Sequence, residues 1–252
     1  DFMKFKNYAK PQNLAEAYQI LQNEKNAVIL GGNTYLRLNK KTFSTAIDLE
    51  NLGLNFIKEN DENIEIGAYT TLHEIETNAI IKKYFGDFFT KSLKHIVGIQ
   101  FRNIATIGGS ICGKYGFSEL ITALSVLNCT LVFHQNGVIA FKDFIENSQT
   151  KNDILVKIII PKKCGRLSYK MLRNADSDFP ILTVAVNKNS QLNIAIGSCP
   201  TVAKLISAKN ELENISEFIS QNFTFGNDLR ATASYRENIA SVLLKRALEE
   251  TL

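Results

Sequence analysis

Residues 28–36 read VILGGNTYL, in which a short apolar run is followed by two adjacent glycines. This apolar run begins one residue earlier, at Ala27, and ends at Leu30. It predicts a buried strand because it is brief, contains β-branched residues and is bounded by glycine. Glycine lets the backbone bend sharply and lets another group approach it closely. The stretch therefore predicts a buried strand that leads directly into a tight glycine turn.

Strand and helix signals alternate on both sides of this turn. Apolar residues at helical spacing predict a helix over Leu14–Leu21. Further strands are expected at Ala46–Leu49 and at Asn63–Gly67, where apolar and polar residues alternate. Helices are then predicted from Thr71 to Glu76 and from about Ala79 to Val97.

The middle of the chain predicts a capped helix followed by a hairpin. Ser118 suits the N-cap of a helix that runs to Leu127, because its hydroxyl can accept a hydrogen bond from a free backbone N–H. The runs Cys129–Phe133 and Val138–Phe141 flank Asn136-Gly137, a pair typical of hairpin turns.

In the C-terminal part, strand signals come first and helix signals follow. Runs that predict strands are Ile154–Ile160, Leu167–Leu172, Ile181–Val186 and Leu192–Ile196. Helical patterns follow at Thr201–Leu212, Ile215–Gln221 and Ala231–Leu248. This order is typical of an α+β domain with an antiparallel sheet. We therefore predict an α+β fold in two domains, residues 1–161 (subdomains about 1–55 and 56–161) and residues 162–252.

Composition excludes several classes of protein. The 29 basic and 25 acidic residues leave a net charge of only +4, and no basic tract marks a nucleic-acid binder. No apolar run approaches the roughly 18 residues of a membrane span. The first residues contain no signal-peptide pattern, so we expect a cytoplasmic protein. The four cysteines form no CxxC pair and the three histidines are widely separated, so no metal site is expected.

A second glycine pair lies in ATIGGS (Ala105–Ser110), where Gly108-Gly109 predicts another turn. Successive backbone N–H groups in such a turn can form an anion site, and Thr and Ser hydroxyls add donors. Two segments of this kind could hold the two phosphates of a dinucleotide. Neither segment has the spacing GxGxxG or GxxxxGKS. Taken alone, each segment is better explained as an ordinary tight turn.

Six segments, in this order, decide between these interpretations. They are VILGGNTYL (Val28–Leu36), EIGAYTTLHEI (Glu65–Ile75), QFRNIATIGGSIC (Gln100–Cys112), SELITAL (Ser118–Leu124), YKMLRNADSDFPILTVAV (Tyr169–Val186) and DLRATASYRENIASVLLKRAL (Asp228–Leu248). On these segments the chain resembles the FAD-binding (medium) subunits of the molybdenum hydroxylases, such as xanthine dehydrogenase, aerobic carbon monoxide dehydrogenase and nicotinate dehydrogenase. The resemblance covers nearly the whole chain.

The resemblance implies that both glycine segments hold the pyrophosphate of FAD, without a covalent link. The first binding segment would comprise Ile29, Leu30, Gly31, Gly32, Asn33, Thr34, Tyr35 and Leu36. The second would comprise Ala105, Thr106, Gly109, Ser110 and Cys112. Ser110 departs from the asparagine that the family usually has there, which removes an amide donor and keeps a hydroxyl.

Five further positions carry roles that the resemblance implies. Glu119 takes the place of an aspartate that contacts the adenosine side of FAD, and it is one methylene longer. Ile154 and Leu155 stand where apolar residues pack on the flavin ring. Lys170 stands where a basic residue lies near the polar edge of the ring, and Ile96 where an aromatic residue often stacks on it.

The implied function is that of an electron-transfer subunit of an oxidoreductase. It would take electrons from an iron–sulfur subunit and pass them through FAD to NAD or another acceptor. The 2Fe-2S clusters and the molybdopterin would lie on partner subunits, and no catalytic acid, base or metal is expected on this chain. Two alternatives stay open at this point: a free-standing flavin-dependent reductase or oxidase, and a nucleotide-binding module without flavin.

Overall fold

The computed structural model describes residues 3–147, 152–209 and 211–252. The chain forms two compact units that are interleaved in the sequence. Unit 1 consists of Asp1–Ile75, Ile99–Gly113 and Thr130–Ile160. Unit 2 consists of Glu76–Gly98, Lys114–Cys129 and Pro161–Leu252. The predicted division into two functional domains, residues 1–161 and 162–252, stays a prediction.

The elements are numbered in chain order. The strands are β1 (Lys4–Ala9), β2 (Val28–Leu30), β3 (Thr42–Asp48), β4 (Ile57–Glu59), β5 (Asn63–Gly67), β6 (Thr130–Phe133), β7 (Gly137–Ala140), β8 (Leu155–Pro161), β9 (Arg166–Leu172), β10 (Leu182–Lys188), β11 (Leu192–Gly197) and β12 (Lys204–Ala208). The α-helices are α1 (Leu14–Asn23), α2 (Leu72–Thr77), α3 (Ala79–Phe85), α4 (Phe88–Leu93), α5 (Ile99–Arg102), α6 (Ile107–Gly113), α7 (Glu119–Ser125), α8 (Phe141–Glu146), α9 (Ile215–Asn222) and α10 (Ala233–Glu250).

Unit 1 contains a small parallel sheet and a larger sheet. In the first, β3 lies between β1 and β2 and is parallel to both. Helix α1 connects β1 to β2, and the side chain of Asn13 caps it by accepting from the N–H of Glu16. Its buried residues Ala17 and Leu21 pack with Ile47 of β3 in one core cluster. The larger sheet has the order β4-β5-β8-β6-β7.

Unit 2 contains an antiparallel sheet with the order β12-β11-β10-β9. Its two central strands are buried along almost their whole length. Residues from β10 and β11 pack in one cluster with Ile219 of α9 and with Ala240, Leu244 and Ala247 of α10. The mixture of helices and sheets confirms the predicted α+β class.

Most local predictions are confirmed. Helix α1, strand β5, the β6–β7 hairpin and the strands β9 to β11 lie at the expected positions, as do α9 and α10. Ser118 caps α7, because its hydroxyl accepts a hydrogen bond from the N–H of Ile121 at 3.2 Å. Strand β8 also forms where expected, but it pairs with β6 in unit 1 and is not part of the C-terminal sheet.

Two helix predictions are wrong. The helix expected over Ala79–Val97 is broken into α3 and α4, because Gly86 adopts a positive φ of 57° and ends the first of them. The helix expected over Thr201–Leu212 is replaced by β12, which pairs with β11 at the sheet edge. That prediction also included Asn210, which lies outside the described residues. Cross-strand pairing here overrides a local apolar spacing that suited a helix.

Candidate functional site

The first glycine segment follows β2, and its two glycines have no room for a side chain. Leu30, the last residue of β2, pairs with Asp48 of β3. Gly32 has a φ of +75°, and a Cβ atom built on it would lie 1.9 Å from the carbonyl oxygen of Ile104. The backbone at Gly32 therefore packs directly on the backbone that leads into the second glycine segment.

The second glycine pair does not form the predicted turn, because it starts helix α6. The hydroxyl of Thr106 accepts a hydrogen bond from the N–H of Gly109 at 3.1 Å, as an N-cap side chain does. The N–H of Ser110 then donates to the carbonyl of Thr106, which is the helical pattern. The hydroxyl of Ser110 donates to the same carbonyl at 2.9 Å.

The two glycine segments touch each other through their backbones. A Cβ atom on Gly109 would lie 2.6 Å from the carbonyl oxygen of Gly31. In the reverse direction, a Cβ atom on Gly31 would lie 3.0 Å from the Cα of Gly109 and 3.1 Å from the hydroxyl of Thr106. We call the segments Gly31–Thr34 and Ala105–Ser110 together the glycine cradle. Two stretches far apart in the sequence are thus brought into contact.

The other predicted residues of the two binding segments also lie in unit 1. Tyr35 packs edge-on against the ring of Phe101, with ring centroids 6.2 Å apart. Leu36 begins a short 3-10 helix that runs to Leu38. Cys112 is exposed on α6. Ile29 and Leu30, at the end of β2, are half-buried.

Ile154 and Leu155 lie in the interior of unit 1. Ile154 is fully buried and packs in the same cluster as Ala17 and Ile47. Its carbonyl accepts a hydrogen bond from the N–H of His134. Leu155 begins β8 and is also buried. Both side chains serve the hydrophobic core, and their contact with a flavin ring stays a prediction.

Glu119, in unit 2, forms a buried ion pair with Arg173. The two side chains are 7% and 9% exposed. One terminal nitrogen of Arg173 donates to the carbonyls of His95, Asp176 and Asp178 at 2.8, 3.1 and 3.0 Å. The Nε atom of Arg173 is buried and has no hydrogen-bond partner.

Arg173 is a residue whose role the sequence did not reveal. The available signal was an arginine directly after the predicted strand Leu167–Leu172, where the guanidinium needs an acidic or carbonyl partner. Its partner Glu119 lies 54 residues away, so sequence spacing did not connect them. Ile96, the other predicted site residue near this part of unit 2, donates its N–H to the carbonyl of Leu93.

Lys170 is not a freely solvated lysine, because it forms an ion pair with Glu250 of α10. Ser168 donates to the same carboxylate at 2.6 Å, and the ammonium group of Lys91 lies 3.8 Å from it. Burial opposes ionisation of Glu250, but the hydrogen bonds from Lys170 and Ser168 outweigh it and lower its pKa. The carboxylate is therefore ionised at neutral pH and holds Lys170 in place.

The described cysteines and acidic groups do not suggest metal chemistry. Within the described residues, no three His, Cys, Asp or Glu side chains are arranged to hold a metal ion. All four cysteines are free thiols. Burial raises the pKa of Cys199 to about 12, so its thiol stays protonated at neutral pH.

No helix in the described part of the chain is both long enough and apolar enough to span a bilayer.

Comparison with known proteins identifies the family. Residues 3–163 match the family model described as the FAD binding domain in molybdopterin dehydrogenase. The chain belongs to this family. It is therefore an FAD-binding subunit of the molybdenum hydroxylase type and a component of an oxidoreductase, as the sequence analysis predicted.

Relatives of this FAD-binding subunit align along nearly its whole length. It is 24% identical to the glyceraldehyde dehydrogenase medium chain of Sulfolobus acidocaldarius over 97% of both chains. It is 22% identical to the xanthine dehydrogenase FAD-binding subunit of Escherichia coli O157:H7, over 98% of this chain and 96% of the relative.

Solved structures share the fold of the FAD-binding subunit. A chain of quinoline 2-oxidoreductase from Pseudomonas putida 86 superposes with a TM-score of 0.87 at 19% identity, over 100% of this chain and 98% of that one. A chain of carbon monoxide dehydrogenase from Hydrogenophaga pseudoflava gives 0.84 at 21% identity, over 97% and 96%.

The glycine cradle fits FAD in two respects. Its glycines bring two backbone segments into direct contact, with no Cβ atom between them. Asn33, which has a φ of 57°, buries its side-chain oxygen without any hydrogen-bond partner. Buried polar atoms are nearly always paired, so this oxygen suits a hydrogen-bond donor on the bound cofactor, such as one of its hydroxyl groups, and not a phosphate oxygen. No lysine or arginine lies in either segment, so N–H and hydroxyl groups would supply the contacts.

Proposed function

We propose that this chain is the FAD-binding electron-transfer subunit of a multi-subunit molybdenum hydroxylase. The observation that carries the proposal is the glycine cradle, where two glycine segments meet beside the unpartnered side-chain oxygen of Asn33. Family membership supports FAD as the molecule that the cradle binds. When bound, FAD supplies a redox centre that can accept electrons singly and release them as a pair.

The chain's own residues bind and orient this cofactor without a covalent link. Backbone N–H groups of the first segment, Gly31–Thr34, with the hydroxyls of Thr34, Thr106 and Ser110, are proposed to hold the two phosphates. The N–H groups of residues 107–110 already donate to acceptors within unit 1. The cradle needs no acid or base, because binding a pyrophosphate involves no proton transfer. Glu119 is proposed to contact the adenosine side, with its carboxylate held in place by Arg173.

The flavin ring would be held by other residues of the chain. Ile154 and Leu155 are proposed to lie against the ring, together with Ile96. Lys170 is proposed to lie near its polar edge, where a positive charge stabilises a reduced, anionic ring. The ion pair with Glu250 fixes the position of that ammonium group.

Partners are proposed from the relatives. The Escherichia coli relative is named a subunit, and the relative from Paenarthrobacter nicotinovorans is named the medium subunit of nicotine 6-hydroxylase. We propose that an iron–sulfur subunit delivers electrons to this chain and that a molybdopterin subunit oxidises the substrate. NAD or another acceptor would then receive the electrons. The two functional domains and the cytoplasmic location also remain proposals.

Co-expression tests the subunit assignment. The chain would be produced together with an iron–sulfur subunit and a molybdopterin subunit from the same organism, and the product separated by size. We expect one complex that contains all three chains and FAD. Elution of this chain alone, loaded with flavin and unbound by the other two, would contradict the proposal and favour a free-standing flavin reductase.

A further inference from the structure

Asp48 lies where the first glycine segment begins and accepts hydrogen bonds from two phenols. It ends β3 and pairs with Leu30, the residue before Gly31. One carboxylate oxygen accepts from the hydroxyl of Tyr8 at 2.6 Å. The other accepts from the hydroxyl of Tyr69 at 3.0 Å and from the N–H of Glu50 at 2.9 Å.

Tyr69 belongs to the segment that holds the second half of the glycine cradle. The carbonyls on either side of it, those of Ala68 and Thr70, accept from the N–H groups of Gly108 and Ile107, both at 2.9 Å. A Cβ atom on Gly108 would lie only 2.7 Å from the carbonyl oxygen of Ala68. The start of α6 is therefore fixed to the backbone around Tyr69.

The Tyr69–Asp48 hydrogen bond thus connects two parts of unit 1, the end of β3 beside the first glycine segment and the backbone around Tyr69 beside the second. Asp48 is fixed beside the first segment, and the backbone of Tyr69 is fixed beside the second. Tyr8 reaches the same carboxylate from β1 and is 61% exposed, but the hydrogen bonds of its strand run to β3 and not to α6. Binding sites generally need their contacting groups held to about 0.5 Å by such supporting bonds.

We propose that Tyr69 is a positioning residue for FAD, which sets the spacing of the two halves of the glycine cradle through Asp48. The inference rests on the proposed function, because it concerns the same cofactor. In this proposal Tyr69 makes no contact with the phosphates. It acts through the Ala68 and Thr70 carbonyls, which hold Gly108 and Ile107.

The protonation states of the pair suit this role. Burial opposes ionisation of Asp48, but the hydrogen bonds from Tyr8, the Glu50 N–H and Tyr69 outweigh it and lower its pKa. Burial, and then the negative charge of Asp48, raise the pKa of Tyr69 far above its usual value. At neutral pH a protonated phenol therefore donates to a carboxylate, which is a strong type of hydrogen bond.

The test compares two variants that each remove one hydroxyl from the same carboxylate. Tyr69→Phe should weaken FAD binding about tenfold, the loss expected for one hydrogen bond to a charged group. Tyr8→Phe, the matched control, should bind FAD as the wild type does. The dissociation constant would be measured by titrating the ligand-free full-length chain into FAD and following flavin fluorescence. Thermal unfolding of each ligand-free variant would be recorded in parallel.

A double-mutant cycle separates positioning from general destabilisation. Asp48→Ala should also weaken FAD binding, and adding Tyr69→Phe to it should have little further effect, because both changes remove one shared interaction. Equal FAD affinity in the Tyr69→Phe and Tyr8→Phe variants would overturn the inference, as would additive effects in the cycle. If Tyr69→Phe does not fold, Asp48→Ala against Tyr8→Phe makes the same comparison. Failure of the wild-type chain to bind FAD would instead overturn the proposed function.

Discussion

At the scale of single residues, glycines with similar positive φ angles differ in what surrounds them. Gly32 and Gly53 both lie in unit 1 and have φ angles of +75° and +67°. A Cβ atom on Gly32 would collide with the Ile104 carbonyl, whereas none of the described atoms lies within 4 Å of one on Gly53. The sequence predicted the importance of Gly32 from its neighbours, but not the contact with Ile104.

This difference gives a matched pair of substitutions. Gly53→Ala should lower the free energy of unfolding by about 1 kcal/mol, because alanine is strained at positive φ. Gly32→Ala should cost more than this and should abolish FAD binding, because the backbone at Ile104 has to move. Thermal unfolding and FAD titration of both variants would check this. Full FAD affinity in folded Gly32→Ala protein would show that the first glycine segment does not bind the cofactor.

At the scale of elements, the sequence predicted those whose signals are local. Strand β5 is apparent from its alternation, and α7 from the Ser118 cap. Strands β1 and β12 are not apparent from the sequence, because neither contains a buried residue and both owe their structure to pairing with β3 and β11. The sequence predicts a turn at the glycine pair of α6, because glycine pairs usually mark turns and the hydrogen bond that Thr106 accepts depends on the fold.

Arg173 joins elements that the sequence could not connect. It links Glu119 in the first turn of α7 to the segment after β9 and to the carbonyl of His95. Arg173→Met should lower the free energy of unfolding by about 3 kcal/mol, because it removes the cation that faces a buried carboxylate. Adding Glu119→Gln should restore part of this loss, since the buried negative charge is then removed as well. Urea denaturation measures both, and no recovery in the double variant would contradict a buried ion pair.

At the scale of the whole molecule, the α+β class and the family followed from the sequence, because six ordered motifs carry them. The interleaving of the two units did not follow. Residues 76–98 and 114–129 belong to unit 2, although residues on either side of them belong to unit 1. Contacts of this kind between distant segments depend on tertiary packing, which local patterns do not encode.

Acid should destabilise the whole protein. The folded-state pKa values of Asp48 and Asp228 lie below the ordinary 3.8, and that of Glu250 lies below 4.5. On acidification the unfolded chain therefore takes up protons before the folded chain does. The stability from these groups is fully present above their ordinary pKa values and is lost as pH falls through the lowered ones.

The melting temperature should accordingly change little from neutral pH to about pH 5 and fall below about pH 4. In the wild type, the carboxylate of Asp228 accepts a hydrogen bond from the fully buried Arg236 at 2.6 Å. Asp228→Asn removes this titrating group, so the melting temperature of the variant should fall less on acidification than that of the wild type. Thermal unfolding across this pH range checks both statements. An unchanged pH profile in the variant would remove Asp228 from the acid-sensitive groups.

The measurement that tests the central claim most directly is the flavin content of the purified chain. The protein would be saturated with FAD, freed of excess and precipitated with acid, and the supernatant analysed by absorbance and chromatography. We predict the visible absorption of oxidised flavin in the native protein and its full release as FAD into the supernatant. A colourless protein after saturation, or flavin that stays with the precipitated chain, would contradict a non-covalent FAD subunit.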